Sequence, residues 1–258
     1  MKIISAFLLF FATAQLQAQT LDSVTYKIEG KFYTAYYALP SVVSSRTKTV
    51  LIVHEWWGLN EYPKQRALKL AQEGNIGFCI DMYGTAIIAE TPEDAKKLST
   101  PFYEDSKMAF NRFMAGYNQA IKIKGVDTSK IAAIGYCFGG AMVLNAAKMG
   151  APIDLVVSFH GGLAGIPVEK NKLTAAVLVC HGAADKFISA EEIATFKQQM
   201  TENEKDLTFI EYPNATHAFS NPKATETGQK FGMPIEYNET ADIKSWEDFH
   251  KALRKKVY

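Results

Sequence analysis

Short, almost wholly apolar runs recur along this chain, at Thr49 to Val53, Ile76 to Ile80, Lys130 to Ile134, Leu155 to Phe159, Ala176 to Cys180 and Leu207 to Tyr212. A strand with one wet face alternates apolar and polar residues, so a run without that alternation needs cover on both faces. Segments with helical spacing separate the runs: Tyr62 to Glu73, Thr91 to Ile123, Phe138 to Met149, Ala190 to Thr201 and Glu239 to Val257. Strands that alternate with helices predict the α/β class, with a mostly parallel central sheet between two helical layers. Ahead of them, Thr25 to Ala38 holds two strand-like runs around Glu29-Gly30-Lys31, the pattern of an opening hairpin, which brings the sheet to about eight strands. No internal repeat, low-complexity tract or Gly-, Ser- or Pro-rich linker divides the chain, so residues 19 to 258 read as one domain.

The leading segment has a different character. Lys2 precedes the apolar run Ile3 to Ala12, which is too short to span a bilayer comfortably. Small residues suited to a signal peptidase follow at Ala12-Thr13-Ala14 and Leu16-Gln17-Ala18. Residues 1 to 18 are therefore expected to be a secretory signal peptide, cut after Ala14 or Ala18. That predicts an exported protein, periplasmic or secreted, without stable membrane association once the peptide is gone. Apolar residues make up 48% of the chain and charged residues 21%, as in folded globular proteins. A net charge of +1 leaves no basic excess for nucleic acid or anionic lipid. A monomer acting on a small molecule is expected.

Export makes the cysteines informative, because thiols in an oxidising compartment tend to pair. The chain has three, Cys79, Cys137 and Cys180, so at least one stays unpaired within it. Cys79 and Cys180 lie inside apolar strand runs and read as small buried hydrophobes. Cys137 stands elsewhere, between a strand run and a helical segment.

In an open parallel sheet, ligands bind beyond the carboxyl ends of the strands. At those places the sequence puts His54-Glu55-Trp56-Trp57-Gly58-Leu59-Asn60, Asp81-Met82-Tyr83-Gly84, His160-Gly161-Gly162, His181-Gly182-Ala183-Ala184-Asp185 and Pro213-Asn214-Ala215-Thr216-His217. At another such end lies Gly135-Tyr136-Cys137-Phe138-Gly139, which has the form of a nucleophile elbow with Cys in place of Ser. The helix start beside Cys137 supplies unpaired N–H groups and a positive dipole end, both of which favour thiolate. The competing reading is a thiol merely packed between two glycines chosen for close helix–strand contact.

A thiol nucleophile needs a base, and the base needs a group to orient it. The chain order for such sites is nucleophile, acid, histidine. Asp185 and His217 meet that order, each on a loop after a strand at the same edge. The other histidines, His54, His160, His181 and His250, read as structural. His54-Glu55-Trp56-Trp57-Gly58 begins like a His-Glu-x-x-His zinc motif but lacks the second histidine. There is no Cys-x-x-Cys and no Gly-x-Gly-x-x-Gly, so neither a metal nor a cofactor is expected.

Taken in order, His54 to Asn60, Gly135-Tyr136-Cys137-Phe138-Gly139-Gly140, His181 to Asp185 and His217-Ala218-Phe219 resemble the dienelactone hydrolase family of α/β-hydrolases. The resemblance runs from about Lys27 to the C-terminus. It implies the α/β-hydrolase fold, a three-layer sandwich, with Cys137 as nucleophile and Asp185 and His217 as its partners. It also implies Glu55 as an auxiliary carboxylate that holds the resting thiol neutral until substrate arrives. The backbone N–H groups of Trp56 and Phe138 would then form the oxyanion hole.

The chain departs from the family where dienelactone is gripped. Family members that open dienelactone hold its carboxylate with arginines, one soon after the Asp-x-Tyr segment and one shortly after the histidine. Here Asp81-Met82-Tyr83 runs into Gly84-Thr85-Ala86, and His217-Ala218-Phe219 into Ser220-Asn221. The arginines present, Arg46, Arg66, Arg112 and Arg254, are expected in a linking loop or on helix exteriors. Without a cationic partner a buried carboxylate is costly. Trp57, Tyr83, Tyr136 and Phe219 are expected to line the pocket beside Trp56 and Phe138. The expected activity is hydrolysis of a neutral or apolar ester or lactone through a thioester acyl-enzyme. Two alternatives stay open: a non-catalytic protein holding a small apolar ligand on the same fold, and an acyltransferase.

Overall fold

A computed structural model describes residues 19–258, and the expected signal peptide lies outside the described residues. The strands, in chain order, are β1 (Asp22–Ile28), β2 (Lys31–Ala38), β3 (Thr49–Val53), β4 (Ile76–Ile80), β5 (Ile131–Tyr136), β6 (Leu155–Phe159), β7 (Ala176–Gly182) and β8 (Leu207–Tyr212). They form an 8-stranded sheet in the order β1-β2-β4-β3-β5-β6-β7-β8. β1 and β2 pair antiparallel, with Ile28 opposite Lys31. The turn between them places Glu29 and Gly30 at φ of 47° and 87°, the positive pair that a type I′ turn requires. β2 runs antiparallel to β4, and every remaining pairing is parallel.

Every residue of β3, β4, β5 and β6 is buried, as their unbroken apolar runs demand. Alternate residues feed two separate cores. Leu51, Val53, Phe78 and Ile80 pack with α3 (Ser106–Ala120), α4 (Phe138–Lys148) and α5 (Ala190–Glu202) through Phe113, Met142 and Phe196. Val50, Ile52 and Ile134 face α1 (Glu61–Gln72) and α7 (Glu239–Lys256) through Leu70, Trp246 and Phe249. The sheet is thus the middle of three layers, as expected.

Two helical expectations change. The segment from Thr91 to Ile123 is two helices, α2 (Pro92–Glu104) and α3, divided at Asp105. Asp105 leaves helical backbone at φ −122° and ψ 88°, and its carboxylate accepts from Met108 N–H to cap α3. An additional helix, α6 (Ala224–Phe231), buries only Ala224 and Gly228, so it carries no apolar stripe for periodicity to reveal.

The arginine expectation also needs correction. Arg46 and Arg254 are exposed, but Arg66 is buried under α1. It pairs with Asp242 at 2.5 Å and donates to the Ser220 carbonyl at 2.7 Å. Arg112 is half-buried and donates to Tyr33 Oη and the Met82 carbonyl. A guanidinium stem covers apolar surface well, so an arginine on a helix can be drawn into a core that satisfies its N–H groups.

Candidate active site

β5 turns into α4 at Cys137, whose φ of 53° and ψ of −115° are costly for a residue with a side chain. The turn is tight enough to exclude side chains on either side. A Cβ on Gly135 would collide with the Gly139 carbonyl, and one on Gly139 with the Val53 carbonyl. The two glycines therefore let α4 rest directly on β5 and β3. Gly135→Ala should cost more than about 3 kcal/mol, because the obstructing atoms are backbone. Urea unfolding of the purified variant measures this; a loss below about 1 kcal/mol would show that the elbow has slack.

The structure brings Cys137, Asp185 and His217 together. His217 Nδ1 lies 2.8 Å from Asp185 Oδ2, and the other Asp185 oxygen accepts from Phe187 N–H at 2.8 Å. The Asp185 carboxylate is fully covered. With Nδ1–H donated to Asp185, the imidazole has Nε2 for the Cys137 sulfur. Burial disfavours charge on His217, but the Cys137 sulfur and the Asp185 carboxylate outweigh it and push the imidazole up to about 10. Phe187 packs against the same ring at 4.9 Å while half its surface stays in solvent.

Glu55 is buried at the end of β3, and its hydrogen bond goes to Asn221, whose Nδ2 donates to Oε2 at 2.6 Å. Burial pushes the Glu55 carboxyl up to about 7 against the opposing pull of Asn221, His217 and Arg66. Trp56 and Phe138 follow the strand ends. Phe138 opens α4, where the helix itself has no acceptor for its N–H. Among the described residues neither amide donates to another group.

The predicted aromatic lining divides. Tyr83 is buried beside Phe138, the two rings tilted with centroids 5.4 Å apart, and its hydroxyl donates to the Trp56 carbonyl at 3.1 Å. Trp57 walls a cavity of about 480 Å³ together with Asn221, Lys223, Lys230 and Phe231. Cys137 does not border that cavity, but Asn221 in its wall donates to Glu55. Tyr136 and Phe219 do not line a pocket. Both are fully buried in the core under α1 and α7, Tyr136 stacking on Phe159 at 4.9 Å and Phe219 tilted against Tyr212 at 5.5 Å. Consecutive strand residues point to opposite faces, so Cys137 up requires Tyr136 down.

Three neighbours of the site had no sequence signal strong enough to name them. Tyr103 on α2 stands edge-on to Phe138 at 5.8 Å, with 54% of its surface exposed. Phe187 covers His217, and Asn221 holds Glu55. The four remaining histidines sit outside the triad. His54 is locked between the Glu55 carbonyl at 2.6 Å and Met82 N–H at 3.3 Å. Among the described residues no group of His, Cys, Asp and Glu is arranged to hold a metal ion. All three cysteines are unpaired.

Comparison with known proteins places the chain. The model of the dienelactone hydrolase family matches residues 33–257. A protein of Aquifex aeolicus named as a carboxymethylenebutenolidase is 28% identical over 86% of this chain and 90% of its own length. A Bradyrhizobium protein named as a 2-oxo-3-(5-oxofuran-2-ylidene)propanoate lactonase is 27% identical over 77% of this chain and 84% of its own. The crystal structure of a dienelactone hydrolase-like promiscuous phosphotriesterase from metagenomic libraries superposes with a TM-score of 0.87 at 29% identity. It covers 94% of this chain and 100% of that one. With a family match over most of its length and the family's eight-stranded fold, the chain belongs to the dienelactone hydrolase family, and with it to the hydrolases of ester and lactone bonds.

Proposed function

We propose that the protein hydrolyses a neutral or apolar carboxylic ester or lactone with a Cys137-His217-Asp185 triad. The observation that carries this reading is the Asp185–His217 contact of 2.8 Å directed at the sulfur of an elbow cysteine. Cys137 Sγ attacks the substrate carbonyl as thiolate, and the imidazolium of His217 balances its charge. The carbonyl oxygen takes the negative charge between Trp56 N–H and Phe138 N–H. As the tetrahedral adduct collapses, His217 passes its proton to the departing alkoxide and leaves a thioester on Cys137. Water then gives a proton to His217, attacks the thioester and releases the acid. Asp185 keeps Nδ1 protonated throughout.

The charges around the site support a substrate without a carboxylate. Asn221, a neutral amide, stands where Glu55 is held, and the guanidinium of Arg66 is already matched by Asp242. The cavity beside Trp57 has Lys223 and Lys230 but also Glu61, Glu90 and Glu226, so its charges oppose one another. We place the enzyme outside the cytoplasm on the pattern of its leading residues alone.

The test is covalent. On rapid quenching during turnover of an activated aryl ester, intact mass should show one acyl group, and peptide mapping should place it on Cys137. Turnover without an acylated Cys137, even in His217→Ala where deacylation lacks its base, would sink the reading. Thiol reactivity gives a second check. Burial pushes the Cys79 thiol far up and Cys180 up to about 12, so both are protonated near neutrality. Iodoacetamide at pH 7 should therefore label Cys137 alone, and more slowly in His217→Ala. Equal labelling of all three thiols in the folded protein would remove the case for a distinct nucleophile.

A further inference from the structure

His160 touches both the elbow and the loop that carries His217. Its ring is buried at 1% exposure just beyond β6, and its backbone sits at φ of 42°, where side chains are strained. The Cys137 N–H donates to His160 Nδ1 at 3.1 Å as well as to the Phe159 carbonyl at 3.0 Å. A ring nitrogen that accepts carries no proton, so the ring proton resides on Nε2. Nε2 donates to Ser220 Oγ at 2.8 Å.

The connection continues from Ser220 into both layers of the α1 face. Ser220 Oγ lies 2.8 Å from Tyr62 Oη, which also donates to the Ser220 carbonyl at 3.0 Å. Arg66 donates to Tyr62 Oη at 3.2 Å and closes on Asp242 of α7. The His160 ring is also edge-on to His217, with centroids 5.3 Å apart. Ser220 follows His217 by three residues, so one imidazole joins the backbone of the elbow to the loop that carries the base.

We propose that His160 is a positioning residue: by accepting from the Cys137 N–H and donating to Ser220, it holds the elbow and the His217 loop in register. The proposal rests on reading Cys137 and His217 as the reacting pair. A fixed pair matters because small misplacements of reacting groups cost large factors in rate. The His160 ring itself is buried, so its loss should act on turnover rather than on binding.

The experiment compares His160→Phe, His160→Asn, His160→Ala and Cys137→Ala on an aryl ester, with Tm measured for each. His160→Phe fills the space without either hydrogen bond and should lower kcat about 10- to 100-fold with KM nearly unchanged. The amide oxygen of His160→Asn can reach the Cys137 N–H. That variant keeps the elbow half of the link and should recover part of kcat although its Tm falls as far as that of the phenylalanine variant. Wild-type kcat in His160→Phe, or losses of kcat that simply follow Tm, would overturn the proposal. If the phenylalanine variant does not fold, His160→Asn against His160→Ala makes the same comparison, and equal kcat in those two overturns it. Full activity in Cys137→Ala is a different failure, because it strikes the nucleophile and not its positioning.

Discussion

Replacing Cys137 with alanine is expected to lower kcat/KM toward an aryl ester by about 10⁴-fold or more, and adding His217→Ala should cost little beyond that. The sulfur is the only atom in the site that can form the thioester, so alanine removes a step rather than weakening one. In the proposed mechanism His217 works through that sulfur: it pairs with the thiolate, gives its proton to the leaving group and takes one from water. Without the sulfur those tasks have no partner, and the losses cannot add. Residual turnover would come from Trp56 N–H and Phe138 N–H polarising a bound carbonyl toward water. Asp185→Asn should fall between, since the amide can hold the ring in the wrong tautomer while the elbow stays intact. The measurement is steady-state hydrolysis by the purified variants with far-ultraviolet circular dichroism as a folding control. If Cys137→Ala and the double variant retain a tenth or more of wild-type activity, the nucleophile lies elsewhere.

The sequence and the structure agree most where local chemistry decides and least where parity or distant packing decides. The runs at Thr49 to Val53, Ile76 to Ile80 and Leu155 to Phe159 appear as strands with those bounds, because residues buried on both faces announce themselves. The Gly135 and Gly139 spacing is equally local: both glycines are required by contacts that the elbow makes with its own helix and with β3. Tyr136 and Phe219 went to the core instead of the pocket because motif adjacency does not tell which face a side chain takes. Asn221 and His160 depend on partners far away in sequence. The Asn221 amide meets Glu55 across 166 positions, and His160 meets Ser220 across 60. Arg66 was drawn inward for the same reason, through a carboxylate on α7. Such pairings exist only once the sheet has brought its strand ends together.

Glu55→Gln should make the protein more stable at pH 8 by up to about 3 kcal/mol, leave it nearly unchanged at pH 5, and lower its turnover. The carboxyl ionises near 4.5 in the unfolded chain and near 7 when buried in the native site. Between those values the native state holds a proton that the unfolded state has released. This carboxyl's contribution to stability is therefore fully present below about 4.5 and is lost as pH rises through 7. Above 7 the fold carries a buried anion whose hydrogen bond from Asn221 compensates only part of its lost hydration. Glutamine keeps the shape and can still accept from Asn221, but it has no proton to lose. Urea midpoints of wild type and variant at pH 5 and pH 8 give the difference directly, and shared titrations elsewhere cancel in the comparison. A variant whose stability falls with pH as steeply as the wild type would show that Glu55 is not the strained group. A gain in stability together with a fall in kcat would show why the costly carboxylate is there: it is an ionisable group beside His217, kept buried at the expense of the fold because the thiol chemistry uses its charge.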